Sequence, residues 1–230
     1  MQIPSPRLLN QYQNKIVKKP WGFEYLVFQN DKVALWFLHI AYNHQTSMHC
    51  HPNKTTGLIL LDGLAEVSFL NNMVSIESLE KVMIRKGLFH STKAISKKGA
   101  NIFEIETPVD KHDLVRLEDN YGREAKPYEG KSFQTEKGSD SLSINKDCYD
   151  ETFSFSNCDI EVKRLNNTDI FFSMENQQNI IFLDGGILTK NNDLVAQAGD
   201  VVTIFTLKKL VKLFPKVEKN TKIMIINKNE

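Results

Sequence analysis

Residues 47–63 read SMHCHPNKTTGLILLDG, with histidines at 49 and 51 on either side of Cys50. A short β-strand here would send alternate side chains to one face. His49 and His51 would then point the same way, and Cys50 would point to the core. A third histidine, His90, closes the segment Gly87-Leu88-Phe89-His90. A strand pairing alongside would bring it to the same point. Three neutral imidazoles leave a coordination position open for water or substrate, the arrangement that catalytic metal sites use. Histidines converging in this way need a β-structure with an inside, so the pattern predicts a barrel.

The sequence around this stretch is a succession of short β-type runs rich in Val, Ile and Phe, bounded by Asn, Asp, Gly and Lys. Strands are predicted at Phe23–Gln29, Val33–Tyr42, Gly57–Leu61, Ala65–Leu70, Lys81–Ile84 and Ala100–Glu106. A second set is predicted at Phe153–Phe155, Ile160–Leu165, Ile170–Phe172, Ile180–Leu183, Val201–Phe205 and Thr221–Ile226. Helical periodicity is nearly absent, with one turn at most over Lys208–Leu213. Gly130 to Lys146 is polar and poor in aliphatic residues, the composition of a linker or long surface loop.

A weak repeat spans that polar stretch. Leu58-Ile59-Leu60-Leu61-Asp62-Gly63 resembles Ile180-Ile181-Phe182-Leu183-Asp184-Gly185, and Lys81–Ile84 then resembles Asp200–Ile204 after a similar interval. Strand, Asp-Gly turn and strand together predict a hairpin in each copy. The expected organisation is a metal-binding domain over 1–130, a linker over 131–146 and a second β-domain over 147–230. All six histidines lie between His39 and His112, so the second copy has none.

At 230 residues, 41% hydrophobic and 25% charged, the chain has enough apolar surface for a sizeable core. A formal net charge of +1 lacks the basic excess of a nucleic-acid protein. Apolar runs such as Val33–Ile40 are too short to span a bilayer. Met1–Pro6 lacks the charged and apolar regions of a leader. Three cysteines, Cys50, Cys148 and Cys158, do not pair without a remainder. A reduced, cytoplasmic setting is therefore expected.

The spacing His49-x-His51, four residues, Thr56, six residues, Gly63 resembles the first cupin motif, with Thr56 where cupins place a glutamate. Gly87-x-x-His90 resembles the second, with Arg85 in place of its proline. Lys19-Pro20-Trp21-Gly22-Phe23-Glu24-Tyr25 resembles the entry of the type II mannose-6-phosphate isomerase domain, the cupin often fused to a mannose-1-phosphate guanylyltransferase. Its ending resembles Ile105-Glu106-Thr107-Pro108 followed by Asp113–Arg123. The resemblance implies an all-β bicupin, two jelly-roll (double-stranded β-helix) barrels of which the second is degenerate. It also implies a divalent metal on His49, His51 and His90, with zinc the first choice and manganese, nickel or iron as others. That family has a glutamine at the position of His49 and a glutamate at the position of Thr56. A three-histidine set leaves the ion more positive, which suits Lewis-acid work or metal-bound water.

Glu104 and Glu106 share a strand face. Turned inward, one could serve as general base or replace the missing ligand; turned outward, both are solvated. The resemblance favours Glu106 as the inward one. Lys54, Arg85, Lys86, Lys93, Arg116, Arg123 and Lys126 are candidates for holding a phosphate, a task that suits arginine in particular. Glu106 and Lys93 are the expected catalytic residues, and Lys54, Arg116 and Arg123 the expected substrate contacts. His39 reads as structural, His44 and His112 as surface residues, and Trp21 and Tyr25 as pocket wall or core. Asp119–Arg123 reads equally well as a structural turn.

The function that the resemblance implies is metal-dependent chemistry on a sugar phosphate or nucleotide-linked sugar, of isomerase or epimerase type, in surface-carbohydrate biosynthesis. Two alternatives stand beside it. One is an iron-dependent cupin oxygenase, since three histidines also suit ferrous iron. The other is a non-catalytic sugar-binding cupin, suggested by Thr56 and the histidine-free second half. A homodimer is the expected assembly on base rates. Neither nucleic acid nor membrane is an expected partner.

Overall fold

The computed structural model describes residues 10–124, 126 and 128–229. Met1–Pro6, read above for a leader, lies outside them. Strand makes up 49% of the chain and helix 9%, so it is all-β. Two compact units divide it, Met1–Ile144 and Asn145–Glu230.

Among the described residues the first unit has eleven strands. They are β1 (Lys15–Lys19), β2 (Gly22–Gln29), β3 (Ala34–Ile40), β4 (Met48–Cys50), β5 (Thr55–Phe69) and β6 (Met73–Glu77). After them come β7 (Lys81–Ile84), β8 (His90–Ala94), β9 (Ala100–Thr107), β10 (Val115–Glu118) and β11 (Gln134–Glu136). The sheet runs β10-β4-β8-β5-β9-β3-β2-β1-β11, with β6 and β7 also paired to β5. Strand β3, Ala-Leu-Trp-Phe-Leu-His-Ile, is buried along nearly its whole length. A continuous apolar run of this kind marks a strand covered on both faces. Trp36, Leu38, Leu58, Leu60 and Ile102 project from β3, β5 and β9 into one core.

The first Asp-Gly pair does not form the predicted hairpin. Asp62 and Gly63 lie inside the single strand β5, where the pairing register shifts between Leu60 and Asp62. Gly63 has φ +103°, and a Cβ there would meet the Gly99 carbonyl oxygen at 2.4 Å. The kink lets one strand serve two sets of partners, β9 and β7 before it and β8 and β6 after it. A bulge bends a strand in this way without ending it.

Gly22 opens β2 at φ +146°, and a Cβ there would lie 1.9 Å from the His39 carbonyl oxygen. The clash is with backbone of the paired strand β3, which has nowhere to move. Gly22→Ala is expected to destabilise the first unit by about 2–4 kcal/mol, measured by urea denaturation. A stability unchanged within about 0.5 kcal/mol would refute the tight approach of β2 to β3.

The polar stretch 130–146 carries β11, which pairs with β1 through Lys15↔Glu136 and Val17↔Gln134. Lys137 Nζ donates to the carbonyls of Leu26 and Leu142, each at 2.9 Å. The Ile144 amide donates to Val27 O at 2.8 Å. Most of this stretch is thus stitched to the first unit, by backbone pairing that its composition does not advertise.

The second unit contains β12 (Glu151–Phe155), β13 (Cys158–Leu165), helix α1 (Ile170–Ser173), β14 (Asn179–Asp184), β15 (Gly186–Leu188) and β16 (Leu194–Gln197). It ends with β17 (Val201–Thr203), helix α2 (Ile204–Leu213), β18 (Lys216–Val217) and β19 (Thr221–Lys228). Five strands form one sheet, β12-β13-β19-β14-β17, and three form another, β16-β15-β18. The second Asp-Gly pair marks the passage between the two sheets, as the first marks the change of partners along β5. The repeat therefore reports a shared topological step.

Two predicted strands in this unit are corrected. Ile170–Phe172 is a turn of helix, and the run Val201–Phe205 is strand only to Thr203. There the Thr203 hydroxyl accepts from the Thr206 amide at 3.3 Å and caps α2. Ile204, Leu207 and Val211 then bury one helical face, a period of 3.6 that the short window hid. Among the described residues no helix is long and apolar enough to cross a membrane.

Candidate metal centre

His49 sits mid-strand in β4, with His90 of β8 opposite it on one side and Arg116 of β10 on the other. His51 follows one residue after β4 ends. The side-chain nitrogens of His49, His51 and His90 offer ligand atoms all within 4.8 Å of one another. Their orientation is fixed from behind. His49 Nδ1 donates to Ser47 O at 2.8 Å, His51 Nδ1 to Asp113 O at 2.6 Å, and His90 Nδ1 to Leu88 O at 3.0 Å. A carbonyl oxygen only accepts, so each Nδ1 carries the proton and each Nε2 keeps its lone pair. His51 Nε2 is buried and has no hydrogen-bond partner among the described residues. Backbone carbonyls orienting imidazoles toward a shared point are the outer shell of a metal site.

Burial is the main cause that holds all three imidazoles neutral. His90 is lowered to about 4, with Lys54 adding to the effect. His51 is driven far below the usual imidazole range by burial and then by Lys54, His49 and His90. His49 is lowered by burial and then by His90. The donor set is thus in the state that binds metal, and one buried donor lacks any other partner among the described residues. The residues fit a divalent cation.

Asp113 is a member of this site that the sequence reading left without a role. Besides its carbonyl bond to His51, its carboxylate accepts from the amides of Asn53 and Lys54, each at 2.9 Å. It thereby clamps the loop that follows His51. Its signal was its place at the head of the family-like ending, Asp113–Arg123.

Thr56 occupies the glutamate position. It is 1% exposed, and its hydroxyl has no partner among the described residues. Its cross-strand neighbour on β9 is Glu106. Glu106 faces inward as expected, but its carboxylate is already occupied. Oε1 accepts from Trp36 Nε1 at 3.1 Å, and Oε2 pairs closely with the Lys54 ammonium. Lys54 also donates to Asp110 O at 2.9 Å. Glu104 faces inward too, on the same side of β9, opposite Trp36 and Leu58.

One cavity joins the site, with His49, His51, Lys54, Glu104, Arg116 and Arg123 in its wall. Trp21 is part of that wall, whereas Tyr25 is core, packed on Phe37. Arg123 is committed to carboxylates, doubly to Asp119 at 2.9 and 2.7 Å and once to Glu129 at 2.7 Å. Asp119–Arg123 is therefore the locking turn. Arg116 donates to Lys126 O and lies 3.8 Å from the Glu129 carboxylate. Lys93 is not brought to the cavity: His90, Thr92 and Ala94 turn inward along β8, and Lys93 leaves the other face. Arg85, Lys86 and Lys126 are exposed.

Sequence reasoning missed a second buried charge cluster in this wall. Lys111 pairs with Glu24 at 3.1 Å and lies over the Trp36 ring, and Lys19 pairs with Glu24 and Glu129. The remaining histidines behave as read. His39 bonds Asn101 Oδ1 at 2.7 Å, and His44 and His112 are exposed.

Residues 8–119, just under half of the chain, match the family model described as mannose-6-phosphate isomerase C-terminal. The first unit resembles that domain over those residues. Similar solved structures include KdgF from Halomonas sp., 12% identical, covering 40% of this chain and 84% of that one, TM-score 0.38. Another is the capsular polysaccharide assembling protein CapF from Staphylococcus aureus, 15% identical, covering 45% of this chain and 34% of that one, TM-score 0.42. A third is a cupin-2 domain containing protein from Shewanella frigidimarina, 17% identical, covering 36% of this chain and 78% of that one, TM-score 0.34. A search of curated proteins returns no match.

Proposed function

We propose that the first unit is a metal-dependent cupin enzyme acting on a sugar phosphate or nucleotide-linked sugar by proton transfer next to a carbonyl. The observation that carries this reading is the set of three neutral, carbonyl-anchored imidazoles opening on a cavity with basic and carboxyl side chains in its wall. The family match over residues 8–119 supports the sugar phosphate as substrate class. His49, His51 and His90 would hold the ion through Nε2. When bound, a divalent cation supplies positive charge against substrate oxygens. Arg116 lies opposite His49 on the neighbouring strand and would orient an anionic group of the substrate. Lys54 contributes a fixed positive charge beside the histidines. Arg123 acts at one remove, holding Glu129 near Arg116. Lys93 has no part in this scheme. The second unit, without histidines, adds no ligand, and we read it as a degenerate copy of the first.

Thr56 favours a second reading, a binding protein without turnover, because it removes the carboxylate that cupins usually bring to the ion. Elemental mass spectrometry of the purified chain beside a His49→Ala/His51→Ala variant tests the metal first. Near-stoichiometric metal, lost in the variant, is the expected result. A chain that takes up no divalent ion even when incubated with one refutes the enzyme reading and leaves the binding one. Near-stoichiometric iron with oxygen consumption would turn the assignment to an oxygenase.

A further inference from the structure

We propose that Glu104, and not Glu106, is the residue that moves the proton in this cavity, an inference that rests on the isomerase-type reading above. The two glutamates are alternate residues of β9 and both face inward, so strand periodicity does not separate them. Their surroundings do. Glu106 is 0% exposed and spends both oxygens on Trp36 and Lys54. A carboxylate held on an ammonium is poorly placed to accept a substrate proton. Glu104 is half-buried and lines the cavity that His49 and His51 also line. No hydrogen bond or close ion pair joins it to another described residue, so its oxygens are open to a ligand.

Its electrostatic setting suits the task. Burial raises the Glu104 carboxyl above the usual carboxylate range. Lys111 opposes that rise, Glu24 and Glu106 reinforce it, and Lys54 opposes it more weakly. These four act on it most strongly, from β2, β9 and the segments carrying Lys54 and Lys111, and Lys19, Arg116 and Arg123 stand in the same cavity wall. A proton carrier works best with an affinity closer to the working pH than a solvated glutamate offers.

The step is balanced without an oxidant. The Glu104 carboxylate takes the hydrogen on the hydroxyl-bearing carbon beside an aldehyde. The C–H electron pair becomes a carbon–carbon double bond, and the carbonyl π pair settles on its oxygen as an enediolate. The protonated Glu104 returns its proton to the former carbonyl carbon. The remaining hydroxyl yields its proton to the enediolate oxygen as its own carbon becomes the ketone. An α-hydroxy aldehyde phosphate thus becomes its ketose isomer.

The test follows deuterium uptake from D2O at carbon 2 of mannose 6-phosphate and other α-hydroxy aldehyde phosphates by NMR, with the metal-loaded chain. Glu104→Gln is expected to lower exchange about 10²–10⁴-fold while metal content and thermal midpoint stay unchanged. Formate is expected to restore part of the exchange to Glu104→Ala, where chloride does not. In a chain labelled with ¹³C at glutamate carboxyls, one group is expected to titrate above the ordinary range. It should vanish in Glu104→Gln. Wild-type exchange that survives Glu104→Gln would overturn the role of Glu104 and leave the isomerase reading standing. So would ordinary titration of every glutamate. Absence of exchange in the wild-type chain with every probe would instead overturn the isomerase reading, and this inference with it.

Discussion

Glu106→Gln is expected to destabilise the first unit by about 3–5 kcal/mol, because it strands a buried ammonium. Lys54 is 2% exposed and Glu106 0% exposed, so neither charge has water to fall back on. The amide of glutamine keeps an acceptor for Trp36 Nε1 but brings no charge to Lys54. The Asp110 carbonyl, at 2.9 Å, is then the main remaining partner of that ammonium. Breaking a buried pair from one side is far worse than removing both sides. Lys54→Met/Glu106→Gln should therefore recover most of the loss, a coupling that a double-mutant cycle measures. Both tryptophans, Trp21 and Trp36, lie in the first unit. Their fluorescence in urea reports that unit alone. A single Glu106→Gln variant as stable as wild type would show that the pair is not closed in solution. The double variant should also bind metal at least as tightly, since it removes a positive charge that acts on the histidines from close by.

The parts of the fold legible in the sequence were those written as a local period. His49 and His51 converge because a strand repeats every two residues, and β3 announces its burial by an unbroken apolar run. What escaped was decided by partners distant in the chain. Strand β11 owes its existence to β1, 121 residues away at the Lys15–Glu136 contact, and its own composition looks like loop. The Asp62-Gly63 step reads as a turn in any short window, and only the pairing of β5 with β9 and then β8 turns it into a kink. The same limit governs the site. Glu104 and Glu106 are indistinguishable by periodicity, and their difference comes from Lys54 and Trp36, which reach one and not the other. Lys93 looked close to the histidines by residue number, yet it stands on the wrong side of β8. Arg123 carried the right chemistry for phosphate, but Asp119 four residues earlier had already claimed it.

The metal-free first unit is expected to lose about 4 kcal/mol of stability between about pH 7.5 and about pH 5.5 from its three site histidines alone. The sign follows from the direction of the shifts. Folding holds His49, His51 and His90 neutral, while in the unfolded chain each protonates near pH 6.5. Their contribution is whole above that value and is lost as pH falls below it, the unfolded chain taking up as many as three more protons than the folded one. For His90 the loss continues until about pH 4, where the folded imidazole protonates as well. Urea denaturation of the chelator-treated protein, followed by tryptophan fluorescence, measures the slope. A His49→Asn/His51→Asn/His90→Asn variant removes the titrating groups and should flatten it, although its stability at neutral pH stays within a few kcal/mol of wild type. Adding a divalent ion should raise the neutral-pH stability, and that gain should persist through this range and fade only toward about pH 4, where the folded His90 imidazole protonates and competes with the ion. Equal slopes in the wild-type and asparagine proteins would mean that the imidazoles are solvated and the site is not the closed, neutral set that its hydrogen bonds describe.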